Sequence, residues 1–309
     1  MNCQSCNFAK KYHKDMTLIA DSGSTKTAWC LIGERPHTFH TQGINPFQQT
    51  EEEICNILKK ELLPQLSIVN PQSSIINCPS SVVRRPLSVV HFYGAGCTKE
   101  KAPIVFQALS QAFPSATQIS VESDMLGAAR GLCQHQPGIV CILGTGSNSC
   151  YYDGTTLHAG NPALGYILGD EGSGAYIGKR LAGDILKKQL PKHVIQQFFD
   201  ETGESQESII QKVYREPLPN RFLASLSPFC ARHREEAAIH HLLIDCFRQF
   251  FQRNIACVNW PTEENTVHFV GSIAHHYQEE LHEAAHQYGY KVGNILQAPL
   301  EGLITFHQT

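Results

Sequence analysis

The sequence predicts an α/β fold made of two similar halves, and three observations carry that expectation. Strand-like apolar segments alternate with amphipathic helical segments along all 309 residues. An apolar strand, a Gly/Ser/Thr turn and a second strand surround Asp21. The same pattern returns around Gly144, about 120 residues later, as in a chain with two related domains. The length suits one large domain or two mid-sized ones.

The elements follow in order. Thr17 to Ala20 reads as a strand, Asp21 to Thr27 as a small-residue turn and Ala28 to Ile32 as the returning strand. Thr50 has the pattern of an N-cap, with Glu53 three residues on to complete a capping box. Ile54, Ile57, Leu58 and Leu62 recur at helical spacing, and Pro64 is expected to help end that helix. Ser88 to Tyr93 reads as a strand, Lys99 to Phe113 as a helix and Gln118 to Glu122 as a strand. Asp124 stands where a helix over Met125 to Cys133 begins. Gly138 to Leu143 is an apolar, β-rich strand, followed by Gly144-Thr145-Gly146-Ser147-Asn148 and a strand over Ser149 to Tyr152. Helices are expected over Ser173 to Leu190, Gln206 to Arg215 and Glu235 to Asn259. A strand, Thr266 to Val270, enters Gly271-Ser272, and a polar helix spans Ala274 to Tyr288.

Composition narrows the function. Hydrophobic residues make up 42% and charged residues 17%, a globular balance. The net charge of −3 argues against nucleic acid as a partner, which asks for a basic surface. No apolar run approaches the length of a membrane span, and the first residues lack the apolar core of a signal peptide, so a cytoplasmic chain with no membrane partner is expected. Of the twelve cysteines, Cys30, Cys133, Cys141, Cys246 and Cys257 lie in apolar runs and read as reduced, buried hydrophobes. Cys3 and Cys6 form a CxxC without the second pair that a zinc site needs. Residues 1–15 read as a disordered leader, with order starting at Met16, itself a candidate initiator.

Three small-residue turns each follow a strand: Asp21 to Thr27, Gly144 to Asn148, and Gly271-Ser272. Phosphates favour backbone N–H groups presented without side-chain bulk, and hydroxyl donors beside them. One such turn also makes an ordinary hairpin; three in this order, with acids between them, point to a nucleotide. Asp21 can hold Mg²⁺ through water, since that ion prefers oxygen ligands and keeps several waters. The first turn is not a P-loop, because GxxxxGK[ST] and a following helix are missing. Asp124 ends a strand, where a carboxylate can take a proton from a substrate hydroxyl or cap the next helix. Asp170 and Glu171, in Gly-Asp-Glu-Gly-Ser, can equally be helix N-terminal charge.

Taken together, ADSGSTKTAWCLI, CILGTGSNSCYYDG and HFVGSIAHH resemble the phosphate-1, phosphate-2 and adenosine motifs of the acetate-kinase/sugar-kinase/Hsp70/actin superfamily of ATPases. More narrowly, the chain from Met16 onward resembles the BadF/BadG/BcrA/BcrD-type ATPases, on the N-acetylglucosamine kinase side. The resemblance implies two RNase H-like, actin-like domains with a nucleotide cleft between them. They would cover 16–130 and 131–296, with 297–309 packing back on the first. It implies ATP and Mg²⁺, Asp21 near the metal, and Ser22, Gly23, Ser24, Thr25 and Lys26 along the phosphates. Thr145 and Gly146 would approach the phosphates from the second domain, and Gly271 and Ser272 would face the nucleoside. Asp124 would be the general base. Asn45, Ser147, Asn148 and Asp170 would contact a small-molecule sugar, with N-acetylglucosamine and its 6-hydroxyl the implied acceptor. An ATP-binding regulator of the same fold is the alternative.

Departures from the family pattern also matter. Ser22 stands where many relatives have glycine in the first turn. The paired cysteines of the iron–sulfur activator branch and the CxCGxxGC zinc motif of ROK-type kinases are both missing. His282-Glu283-Ala284-Ala285-His286 is a literal HExxH, in which the two histidines share a helix face and could bind Zn²⁺ with Glu283 as base, so a zinc metalloprotease is a remote alternative. Its metzincin extension would need a ligand at Val292, which cannot ligate. A buried stripe of Tyr277, Leu281, Ala284 or Ala285 and Tyr288 accounts for that helix without a metal. Oligomeric state is left open, a homodimer included.

Overall fold

The computed structural model describes residues 16–69 (24 and 34 excepted), 87–262 and 264–308. The leader cysteines therefore lie outside the described residues. The chain separates into two compact units, Met1–Asp124 and Met125–Thr309. The division falls at Asp124, six positions before the boundary expected from the sequence.

In the first unit β1 (Met16–Ser22), β2 (Lys26–Ile32) and β3 (His37–Gln42) form an antiparallel meander. Helix α1 (Glu51–Ile57) continues through a π-helical turn (Leu58–Leu62) into α2 (Leu63–Val69). Then come β4 (Leu87–Gly94), α3 (Ala102–Ala112) and β5 (Gln118–Ser123). The sheet order is β3-β2-β1-β4-β5, with β1, β4 and β5 parallel. The capping box at Thr50 forms as expected: its hydroxyl accepts from Glu53 N, and the Glu53 carboxylate accepts from Thr50 N. Pro64 does not end the helix. Leu63 N donates to Leu58 O, five residues back, so the chain has switched to π geometry just before the proline, which then sits in the first turn of α2. Helix α3 starts later than Lys99, because Thr98 O accepts from Lys101 N and Ala102 N in a turn before Pro103 sets the first helical turn.

The second unit repeats the arrangement. Helix α4 (Asp124–Cys133) leads into β6 (Gly138–Leu143), β7 (Ser147–Tyr152) and β8 (Leu157–Ala159). A helical block follows: α5 (Gly165–Leu168), α6 (Gly174–Leu186), α7 (Lys192–Thr202), α8 (Gln206–Tyr214), α9 (Pro219–Arg232) and α10 (Ala237–Phe250), the last running into a π-helical turn (Phe251–Ile255). The chain closes with β9 (Thr266–Val270), α11 (Ser272–His276), α12 (Gln278–Gln287), β10 (Lys291–Leu296) and α13 (Leu300–Gln308). The sheet order is β10-β9-β6-β7-β8, with β6, β9 and β10 parallel and β6-β7-β8 antiparallel. Each sheet thus has three parallel strands and an antiparallel meander on one flank, the RNase H-like topology. The fold is two actin-like α/β domains.

Buried Phe198, Phe229, Phe247, Phe250, Phe251 and Phe269 dominate the core of the second unit. Helix α9, absent from the expected elements, carries Pro228 inside it. The carbonyl that the proline leaves without its N–H, Ala224 O, accepts instead from the Ser227 hydroxyl at 2.8 Å. The final segment contains α13, which lies against α4: Gln134 Nε2 donates to Gly302 O at 3.0 Å, and the Arg130 guanidinium lies 5.0 Å from the Phe306 ring centre. From Met125 on, α4 belongs to the second unit.

Candidate active site

The first unit gathers its functional groups at the carboxyl ends of the parallel strands, where open α/β sheets place their ligands. Asp21 on β1 pairs with Tyr93 on β4, and Tyr93 with Glu122 on β5, so these three strand ends lie side by side. Asp124 follows β5 directly and opens α4. Burial pushes the Asp21 carboxyl up to about 7; repulsion from Asp124 adds to this, and Lys26 partly offsets it. The two carboxylates therefore share one electrostatic environment, which disfavours two negative charges. Nearby Cys97 is pushed up to about 12 by burial and by Asp124, so it stays a neutral thiol.

The residues of the first turn divide. Ser22 is fully buried, and its hydroxyl is spent on the interior: it lies 2.7 Å from the Thr27 hydroxyl, donates to Ile44 O and accepts from Ile44 N, both at 3.0 Å. That corrects its expected place along the phosphates; side chains alternate along a strand, so Asp21 and Ser22 face opposite sides. Gly23 N donates to Lys26 O at 3.0 Å, which closes the hairpin and leaves Thr25 and Lys26 exposed. Ser24 lies outside the described residues. Asn45 organises its own loop: Oδ1 accepts from Phe47 N at 3.0 Å, and its backbone carbonyl accepts from Gln48 N and Gln49 N.

In the second unit the β6–β7 turn is closed by Gly144 N donating to Gly146 O at 3.0 Å. It is seated on the start of α6, where Gly174 N donates to Gly144 O and Ala175 N to Thr145 O. Gly271 stands beside it. At φ +125° it adopts a backbone that other residues rarely take, and a Cβ there would lie 2.2 Å from Leu143 O. Ser272 is exposed at the start of α11. Asp170 holds φ +57°, and its Oδ1 accepts from Ser147 N at 3.3 Å. Burial raises its pKa, and Glu171 adds to the shift. Asn148 Oδ1 accepts from Ser149 N at 2.8 Å. Ser147, Asn148 and Asp170 all line one cavity of about 270 Å³. Glu171, Asn161, Asn254 and Arg253 add to its polar lining, and Leu164 and Leu168 are among its apolar lining.

A solved structure from Porphyromonas gingivalis, provisionally named an N-acetylglucosamine kinase, matches with a TM-score of 0.84 at 44% identity, covering 94% of this chain and 98% of that one. This chain belongs to the sugar-kinase family of the actin-like fold. A Chromobacterium violaceum structure with the same provisional name shares the fold at a TM-score of 0.68 and 19% identity, over 94% of this chain and 98% of that one. No protein-family model and no curated protein matches the chain.

Sequence reasoning found one side of this family member's cavity and missed the other. Asn161, Leu164, Leu168 and Asn254 belong to no motif, and they reach the cavity only because a loop and the π-helical turn after α10 fold over it. The HExxH motif builds nothing comparable. His282 and His286 are exposed on α12, whose buried face is Leu281, Ala284 and Ala285. Glu283 lies 3.3 Å from His240, and among the described residues no three His, Cys, Asp or Glu side chains converge to hold a metal ion. No described helix is long and apolar enough to cross a membrane.

Proposed function

We propose that the chain is an ATP-dependent kinase that phosphorylates N-acetylglucosamine at its 6-hydroxyl, and that it stands with the BadF/BadG/BcrA/BcrD-type ATPases inside its family. The observation that carries this reading is the convergence of Ser147, Asn148 and Asp170 on one small cavity. Amide and carboxylate groups held in place reject molecules that lack matching hydroxyls. Leu164 and Leu168 in the same lining give an acyl methyl an apolar surface. The provisional name of the Porphyromonas gingivalis relative agrees with this acceptor.

In the reaction, Asp124 accepts the proton of the 6-hydroxyl as its oxygen bonds to the γ-phosphorus and the bond from that phosphorus to the β-phosphate bridging oxygen breaks, releasing ADP. Thr25, Lys26 and the Thr145–Gly146 backbone attend the phosphates. Gly271 and Ser272 face the nucleoside. Asn45, Ser147, Asn148 and Asp170 orient the sugar. A hard divalent cation suits Asp21, because its carboxylate is desolvated near a second one and Lys26 offsets its charge only in part. Asp21 would hold the cation with phosphates and water completing its shell. When bound, Mg²⁺ neutralises charge on the phosphates.

A sugar panel with coupled ADP detection tests the reading. N-acetylglucosamine is expected to raise ADP release above the sugar-free rate and above glucose and N-acetylmannosamine. ADP release that no sugar stimulates would point instead to an ATP-binding regulator on the same fold.

A further inference from the structure

Glu171 has no role in the chemistry above, yet it is a carboxylate with only 7% of its surface exposed, on the wall of the sugar cavity. Helix capping does not explain it. Glu171 precedes the N-cap of α6, and Ser173 performs that task, its hydroxyl accepting from Tyr176 N at 3.1 Å. The Glu171 side chain turns instead to the π-helical turn after α10: Oε2 accepts from Asn254 Nδ2 at 3.2 Å, and Oε1 lies 3.8 Å from the exposed Arg253 guanidinium at the rim.

The two segments are built against each other. Gly172, at φ +72°, lies so close to α10 that a Cβ there would sit 2.9 Å from the Phe250 Cβ. The π turn closes with Ala256 N donating to Phe251 O, and it buries Phe251 and Ile255 completely while Asn254 stays half-buried. Asn161 Nδ2 donates to Arg253 O and the Ser149 hydroxyl to Asn254 O, which ties the turn to the cavity from two further sides. Single π turns inside α-helices are frequent at functional sites. Here one delivers the amide that holds a buried carboxylate.

We infer that Glu171 is a second sugar-contacting carboxylate beside Asp170, and that Asn254 is the positioning residue that holds it toward the sugar. The inference rests on the sugar-kinase reading. Two neighbouring acceptors match two hydroxyl donors on one ligand. Asn254 satisfies one lone pair of Oε2, and Arg253 stands 3.8 Å from Oε1 at the rim, so the carboxylate keeps acceptor sites for the ligand.

The test uses the full chain with MgATP and N-acetylglucosamine. Glu171→Gln is expected to raise the KM for the sugar roughly 10- to 100-fold, the cost of a lost charged acceptor. Since that contact is made alike in ground and transition states, kcat and the KM for ATP should move less than about threefold. Asn254→Ala should raise the sugar KM roughly 3- to 10-fold through loss of a single hydrogen bond. The double variant Glu171→Gln/Asn254→Asp restores the contact with donor and acceptor exchanged. Its melting temperature should return to the wild-type value while its sugar KM stays raised. A Glu171→Gln sugar KM within about twofold of wild type overturns the inference. So does a double variant that recovers the sugar KM together with stability, since the pair is then only structural. Wild-type protein that turns over no sugar fails the kinase reading and this inference with it; wild-type turnover with an unmoved variant KM fails this inference alone.

Discussion

Asp124→Asn is expected to lower sugar-stimulated ADP release by about 10²- to 10⁴-fold, the usual contribution of a general base. The substitution keeps the shape and the helix-starting position while removing the group that accepts the proton. As the first residue of α4, Asp124 also complements the helix dipole, a charge effect of about 0.3–1 kcal/mol that asparagine gives up without unfolding the helix. ATP affinity should therefore stay within a few-fold of wild type, and nucleotide binding by calorimetry checks that the loss is chemical. The fall should appear in kcat rather than in the sugar KM, because the proton moves only as the transition state forms. Cys97 cannot substitute as the base, since burial, the larger cause of its raised pKa, still holds its thiol protonated in the variant. Sugar-dependent ADP release retained by Asp124→Asn would sink the assignment.

What could be read from the sequence followed local chemistry. Thr50 and Glu53 announce their helix start because a capping box is complete within four residues. The strands at Gly138–Leu143 and Thr266–Val270 emerge with the expected bounds because buried parallel strands are continuous apolar runs. Edge strand β3 was missed: only Phe39 and Thr41 of its six residues are buried. The helix end expected at Pro64 fails because a π turn there makes good what the ring removes. Ser22 was misread because a motif records residue type and not direction. Strand alternation would have turned it inward opposite Asp21. The Glu171–Asn254 pair spans 83 positions and depends on a π turn, so no local pattern announces it.

The second large effect is on stability, and it runs against function. With its carboxyl held at about 7 in the native protein and near 3.8 in an unfolded chain, Asp21 makes folding less favourable as pH rises. Below pH 4 the group is protonated in both states and contributes nothing. Between pH 4 and pH 7 the unfolded chain has released the proton and the native protein keeps it, so stability falls with rising pH. Above 7 the full penalty is present, of order 2–4 kcal/mol from 1.36 kcal/mol per unit. Asp21→Asn removes the titrating group while keeping its size. Without nucleotide or metal, the variant is expected to melt roughly 5 °C above wild type at pH 8, with the gap closing toward pH 4.5. Thermal unfolding across that pH range measures it. Adding MgATP should narrow the gap, because the cation supplies the counter-charge that Asp21 lacks, and turnover by Asp21→Asn should be largely lost. A variant no more stable than wild type at pH 8, or a gap that does not grow with pH, would show that Asp21 keeps an ordinary carboxylate. The cation would then be held without the strained pair. A widening gap means instead that stability has been given up where the metal is to bind, as expected of a site whose charge is balanced only when it is loaded.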